Sequence, residues 1–194
     1  MRLVILGPPG AGKGTQAARL AEHYGVPAIS TGDIFRSNIA AGTDLGTQVK
    51  AIVDGGGYVP DEITNALVRE RLAQPDAEGG FLLDGFPRTR AQVDELDQML
   101  AQVGQAVDVV AELTVDPDEL VARLVRRAHT DGRSDDSEDV IRRRQAVYEE
   151  QTAPLTEVYR SRGLLVRVEG MGGVDDVTAR LVSALDAHFA SERS

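Results

Sequence analysis

Gly7 to Thr15 read GPPGAGKGT, set between the apolar run Leu3-Val4-Ile5-Leu6 and a helix-like stretch from Gln16 to Tyr24. Strand, glycine-rich turn and helix, in that order, are the context in which such a sequence cradles a phosphate chain. The glycines let the backbone curl so that successive N–H groups point inward. The helix N-terminus adds partial positive charge and Lys13 a full one. The common pattern places Ser or Thr directly after the lysine; here Gly14 intervenes and Thr15 follows. Both flanks fit, so these residues specify a polyphosphate site rather than a surface turn.

Composition narrows the rest. At 194 residues the chain suits one α/β unit with small inserted lobes. Aromatic residues are only 4%, so aliphatic side chains must fill the core. There is no cysteine, which rules out disulfides and thiolate metal sites and points to a reducing, cytoplasmic setting. No apolar stretch approaches the length needed to span a bilayer. The first strand begins at once, without a charged-then-apolar leader, so export is not expected. A formal charge of −10 argues against a nucleic-acid partner. An acidic protein that binds polyanions must gather its positive charge locally. Lysine occurs only at positions 13 and 50, and arginine supplies every other basic side chain. Arginine suits bidentate phosphate recognition, although a GC-rich genome would produce the same bias.

Apolar runs recur at Arg2–Leu6, Val26–Ile29, Phe81–Asp84, Val109–Val115 and Leu164–Val168. Helical spacing fills Asp61–Ala73, Thr89–Val103 and Val174–Phe189, and Asp116-Pro117-Asp118-Glu119 starts a further helix. Strand alternating with helix predicts an α/β fold: a parallel five-stranded sheet with helices on both faces. Chemistry then belongs just after the strands, at Gly7–Thr15, Ser30–Asp33 and Asp84–Arg88. Thr31–Val59 and Arg127–Ser137 fit the alternation poorly and read either as mobile lobes or as ordinary loops. Ala190–Ser194 are expected to fray.

Taken together, GPPGAGKGT, STGDIFR (Ser30–Arg36), DGFPRT (Asp84–Thr89), Gln92 and QTAPL (Gln151–Leu155) resemble the adenylate kinase family, in motif order, from residue 1 to about 189. The match is to the short-lid form of that P-loop NTPase-like fold. It implies a core of residues 1–29, 60–126 and 138–194, an NMP-binding lobe at 30–59 and a short lid at 127–137. Long lids in the family carry zinc on four ligands, often cysteines; this cysteine-free lid implies no zinc. The implied reaction is reversible phosphoryl transfer from Mg·ATP to AMP, giving two ADP, by a monomer.

Such a reaction needs positioning and charge neutralisation more than covalent help. A nucleoside monophosphate has a second phosphate pKa of about 6, so the acceptor is already a nucleophile at neutral pH and needs no general base. His23, His129 and His188 accordingly form no nucleophile–base pair. By resemblance, Gly10, Ala11, Gly12, Lys13, Gly14 and Thr15 hold the ATP phosphates, with Arg127 alongside and Gly172 against the donor base. Thr31, Arg36, Gly57, Tyr58, Val59, Gly85, Phe86, Pro87, Arg88 and Gln92 form the AMP site, with Arg133 and Arg144. Lys13, Arg88, Arg127, Arg133 and Arg144 surround the transferring group. Asp84 and Asp33 orient Mg²⁺ through water, although Thr-Gly-Asp also reads as a helix start. Arg123 is expected over the donor adenine, and Arg126, Arg142 and Arg143 in solvent or paired with acids. A pyrimidine monophosphate kinase shares the loop, short lid and DGFPR run, and Thr31 with Gln92 argue against it. A P-loop hydrolase would not need Arg36 and Arg88 in a second phosphate site. A binding module that had lost catalysis fits badly with every expected arginine in place.

Overall fold

Leu3, Val4, Ile5 and Leu6 are all buried, and their side chains divide between two cores. Val4 and Leu6 join one cluster, Leu3 and Ile5 the other, as period-two alternation requires of a strand covered on both faces. The computed structural model describes residues 1–121, 123–124 and 137–192. Their elements are β1 (Arg2–Leu6), α1 (Lys13–Tyr24), β2 (Ala28–Ser30), α2 (Thr31–Ala41), α3 (Asp44–Asp54), α4 (Asp61–Leu72), β3 (Phe81–Asp84), α5 (Arg90–Ala101) and β4 (Val109–Thr114). There follow α6 (residues 117–121, 123 and 124), α7 (Glu138–Val147), a π-helical turn (Tyr148–Thr152), α8 (Leu155–Ser161), β5 (Leu165–Glu169) and α9 (Val174–Glu192).

The five strands pair in the order β2-β3-β1-β4-β5, every pair parallel. One core packs α4, α5 and α8 on the sheet through Val68, Val93, Leu96, Leu155 and Tyr159. The other packs α1 and α9 through Ala17, Leu20, Val177, Leu181 and Leu185. Helices therefore cover both faces, as the alternation predicts. Each large aliphatic side chain so buried contributes about 1.5–3 kcal/mol. Among the described residues no helix is long and apolar enough to cross a membrane.

Several boundaries differ from expectation by one to three residues, among them the starts of β2 and α1 and the end of α9. β2 starts at Ala28 rather than Val26, because Gly25 takes a left-handed turn (φ +66°) and the Val26 N–H returns to Ala21 O at 3.0 Å. Val26 thus closes α1 in a Schellman-type cap instead of joining the sheet. α1 itself opens at Lys13, three residues before the apolar periodicity begins. α9 runs through Glu192, held by Phe189 against the second core and by Ser191 Oγ donating to His188 O at 2.7 Å. Elsewhere Asp116 caps α6 as expected, its Oδ1 accepting from the Asp118 N–H at 2.9 Å.

α2 and α3 have a small core of their own, centred on Phe35, Val49 and Val59. The two helices touch at Gly46, where a Cβ would lie 2.1 Å from the Asn38 carbonyl oxygen. Gly46→Ala is therefore expected to destabilise this helix pair by about 1–3 kcal/mol. Amide exchange should show protection lost at Phe35 and Val49 first, with β1 amides keeping theirs.

Candidate active site

β1, β2 and β3 end side by side, with Ile5 and Ser30 both in register with Asp84. The loops leaving these ends build one site. After β1 the chain passes Gly7 at φ +147°, where a Cβ would lie 2.8 Å from the Leu113 carbonyl oxygen, so only glycine fits between β1 and β4. Gly12, at φ +90°, turns the loop into α1, and no side chain caps that helix. The first-turn N–H groups of an uncapped helix form an anion site. The Lys13 ammonium folds over the loop, donating to Gly7 O at 2.7 Å and Pro8 O at 3.0 Å. Asp84 stands beside the helix start; a Cβ on Gly14 would lie 3.6 Å from its Oδ2.

An open cleft lies next to this loop. It brings together Lys13, Thr31, Arg36, Gly57, Tyr58, Val59, Gly85, Pro87, Arg88, Gln92 and Arg144. Thr31 Oγ1 donates to Gly85 O at 2.9 Å, fastening the start of α2 to the loop after β3. Gly85 takes φ +81°, and a Cβ there would sit 2.8 Å from Thr31 Oγ1 and 2.9 Å from Arg88 Nη2. The Arg88 guanidinium lies over the Tyr58 ring, 4.8 Å from its centroid, a cation–π contact that holds the charge without neutralising it. Thr152 Oγ1 donates to Arg88 O at 2.8 Å. Its single proton being spent there, it accepts from the Tyr58 O–H, also at 2.8 Å.

The remaining residues divide. Gly10, Ala11, Gly12, Gly14 and Thr15 form the loop and the first turn beside the cleft rather than its wall. Phe86 sends its side chain into the core. Asp33 lies in the first turn of α2, mostly exposed, and pairs with Arg36 at 2.6 Å. Ser30 accepts from the Asp33 N–H at 3.3 Å, as the helix-start reading of Thr-Gly-Asp expects. Gly172, at φ +96°, sits in the loop after β5. Arg123 bonds Glu119 Oε1 and Gly170 O, each at 2.9 Å, which joins α6 to the loop after β5. Arg142 is exposed and paired with Glu138 at 2.6 Å; Arg143 is exposed. Arg126, Arg127 and Arg133 lie outside the described residues. No group of three or more His, Cys, Asp or Glu side chains is placed to hold a metal directly, among the described residues.

Sequence reasoning passed over three residues of the cleft's framework. Tyr148 and Thr152 line it from the π-helical turn, a local overwinding that frequently marks functional sites. Burial, then the nearby Glu112 carboxylate, pushes the Tyr148 phenol pKa up, so it remains a neutral hydroxyl. Asp61, read only as a helix start, holds the Gln92 carboxamide. Thr152 was within reach, since it lies inside QTAPL; Tyr148 and Asp61 carried no such signal.

The chain matches the family model described as adenylate kinase over residues 5–164. It is 62% identical to the adenylate kinase of Nocardioides sp. over 186 residues, 96% of this chain and 97% of that one. It is 59% identical to that of Kocuria rhizophila (95% and 98% of the two chains) and 56% to that of Thermobifida fusca (95% and 98%). The chain belongs to the adenylate kinase family. Adenylate kinase family members need cations gathered where anionic groups meet, and in this cleft Lys13, Arg36 and Arg144 converge from three helices and Arg88 from the loop after β3.

Thr152→Val removes the hydroxyl that joins Tyr58 to the Arg88 carbonyl. It should cost about 1–3 kcal/mol of stability, because it leaves that carbonyl unpaired in a half-buried site. Urea unfolding monitored by far-ultraviolet circular dichroism measures this.

Proposed function

We propose that the protein catalyses reversible phosphoryl transfer from ATP to AMP, yielding two ADP and so balancing the adenine nucleotide pool. The observation carrying this is the pairing of an uncapped, lysine-bearing helix start with a second cationic group, Arg36 and Arg88, across one cleft. A hydrolase needs only the first. The adenylate kinases of Nocardioides and Kocuria support adenylate as the acceptor by name.

In this reading the loop Gly10–Thr15 receives the β and γ phosphates of ATP. Lys13 exchanges its bonds to Gly7 and Pro8 for phosphate oxygens and follows the charge as it moves to the acceptor. Arg88 and Arg36 grip the AMP phosphate. Arg88 can approach because Tyr58 supports its face and Thr152 its backbone. Thr31, Gly57, Val59, Gly85 and Pro87 shape the AMP pocket, with the backbone at Tyr58 and Phe86. Gln92 reads the adenine. Arg144, with Arg127 and Arg133 from the lid, neutralises charge on the transferring group, and Gly172 passes the donor base by backbone alone.

Asp84 would hold Mg²⁺ through water, with Asp33 and Thr15 as helpers; its carboxylate at the helix start suits that hard cation, whose usual shell keeps several waters. When bound, the ion would neutralise charge on the phosphates. The lobe 30–59 and the lid 127–137 are proposed to close over both substrates, excluding water that would otherwise hydrolyse ATP. The chain is proposed to act as a cytoplasmic monomer, without zinc, a nucleic-acid partner or a membrane.

The deciding assay incubates Mg·ATP with AMP, UMP, CMP or no acceptor and resolves the products by chromatography. ADP from both donor and acceptor with AMP alone is the expected result. Turnover with a pyrimidine instead would overturn the acceptor assignment, and ADP with free phosphate in the absence of acceptor would mean a hydrolase. Lys13→Ala and Arg88→Ala should each lower kcat by about 10²–10³ or more, as removal of a preorganised charge-stabilising group does. Their melting temperatures should stay near that of the parent, and near-parental turnover of Lys13→Ala would sink the donor-site assignment.

A further inference from the structure

Asp61 opens α4 but bonds the start of α5. Its Oδ2 accepts from Thr89 Oγ1 at 2.9 Å and its Oδ1 from Gln92 Nε2 at 2.7 Å. Gln92, only 1% exposed, accepts on Oε1 from the Arg88 backbone N–H at 2.7 Å. A carboxylate can only accept and a backbone N–H can only donate. Of the two orientations of the Gln92 carboxamide, one therefore satisfies both neighbours. The reverse sets oxygen against carboxylate and NH₂ against N–H. An amide whose O and N are otherwise interchangeable is here fixed by its partners.

A carboxamide has two donor hydrogens and two acceptor positions. One of each is taken, and one of each remains on a residue that lines the cleft. Adenine matches such a group on either edge, because its amino donor lies next to a ring-nitrogen acceptor. Hypoxanthine keeps adenine's outline but replaces the amino group with a carbonyl acceptor and carries a proton on N1. On its N1 edge it would need the carboxamide reversed, and on its N7 edge, with two acceptors, it pairs fully with neither orientation.

We propose that Asp61 sets base specificity at the acceptor site, as a positioning residue that locks the Gln92 carboxamide in the orientation that accepts a 6-amino purine and rejects a 6-oxo purine. The inference rests on the reading of Gln92 as the adenine contact. Half of the lock, the Arg88 N–H, is backbone and cannot be altered by substitution; Asp61 is the half that sequence can tune. An asparagine in its place presents either donor or acceptor, so Asp61's half of the requirement disappears while shape and size remain, and only the Arg88 N–H still favours the original orientation.

The test compares AMP with inosine monophosphate as acceptors for the parent and for Asp61→Asn, with Asp61→Ser as a second variant should the first fold poorly. The AMP to inosine monophosphate ratio of kcat/KM should fall by about tenfold or more in the variant, the range one bidentate base contact commands. The change should appear mainly as a lower KM for inosine monophosphate. In the unliganded protein, the Gln92 side-chain NH₂ resonances should lose the hydrogen-bonded shift and slow exchange that Asp61 imposes. A ratio unchanged within about twofold, or Gln92 resonances unaltered, would overturn the proposal and leave Asp61 as a helix start only. A parent enzyme that does not phosphorylate AMP would instead overturn the function itself, and that result precedes any variant.

Discussion

Parallel strands are the constraint on which everything else in this molecule rests. Because all five run the same way, their carboxyl ends share one edge, and the segments that leave β1, β2 and β3 must meet there. Register does the fine positioning: Asp84 stands level with Ile5 on one side and Ser30 on the other. Three segments distant in sequence thereby share one cleft. The same arrangement answers the charge problem of an acidic chain. Its net charge of −10 would repel nucleotides, yet Lys13, Arg36, Arg88 and Arg144 are brought to one place by strands and helices that are themselves uncharged at their cores.

Much of this was legible in the sequence because its causes are local. GPPGAGKGT needs glycines at Gly7 and Gly12 for backbone reasons, and those reasons are present in the chain itself. The apolar runs announce the strands because burial on two faces leaves no room for polar alternation. What escaped was nonlocal. Val26 is as apolar as any strand residue, but its N–H is taken by the turn that closes α1. Arg123 looks in sequence like the arginines that follow it, yet it bonds a carbonyl across the molecule at Gly170. Asp61 and Thr152 resemble ordinary polar residues until the fold sets them against Gln92 and Arg88.

A division of labour is visible among the polar side chains. The cations of the cleft carry charge, and the hydroxyls that bond their neighbours carry orientation. Thr152 accepts from Tyr58 and donates to Arg88 O; Thr89 donates to Asp61 and accepts from the Gln92 N–H at 3.1 Å. Each hydroxyl both gives and receives, so each fixes the direction of the bonds around it. Preorganisation of this kind lowers the reorganisation required when substrate arrives. It also explains why the second layer is dense in threonine, whose one proton makes such relays directional.

The contact between Arg88 and Tyr58 has an optical consequence. The chain has no tryptophan and four tyrosines, and two of these, Tyr58 and Tyr148, border the cleft. A guanidinium seated on a phenol ring perturbs that ring's ultraviolet transitions, so any ligand that draws Arg88 away alters the near-ultraviolet spectrum of the unlabelled protein. The molecule carries its own chromophore at the site where nucleotide would bind, against a background free of indole.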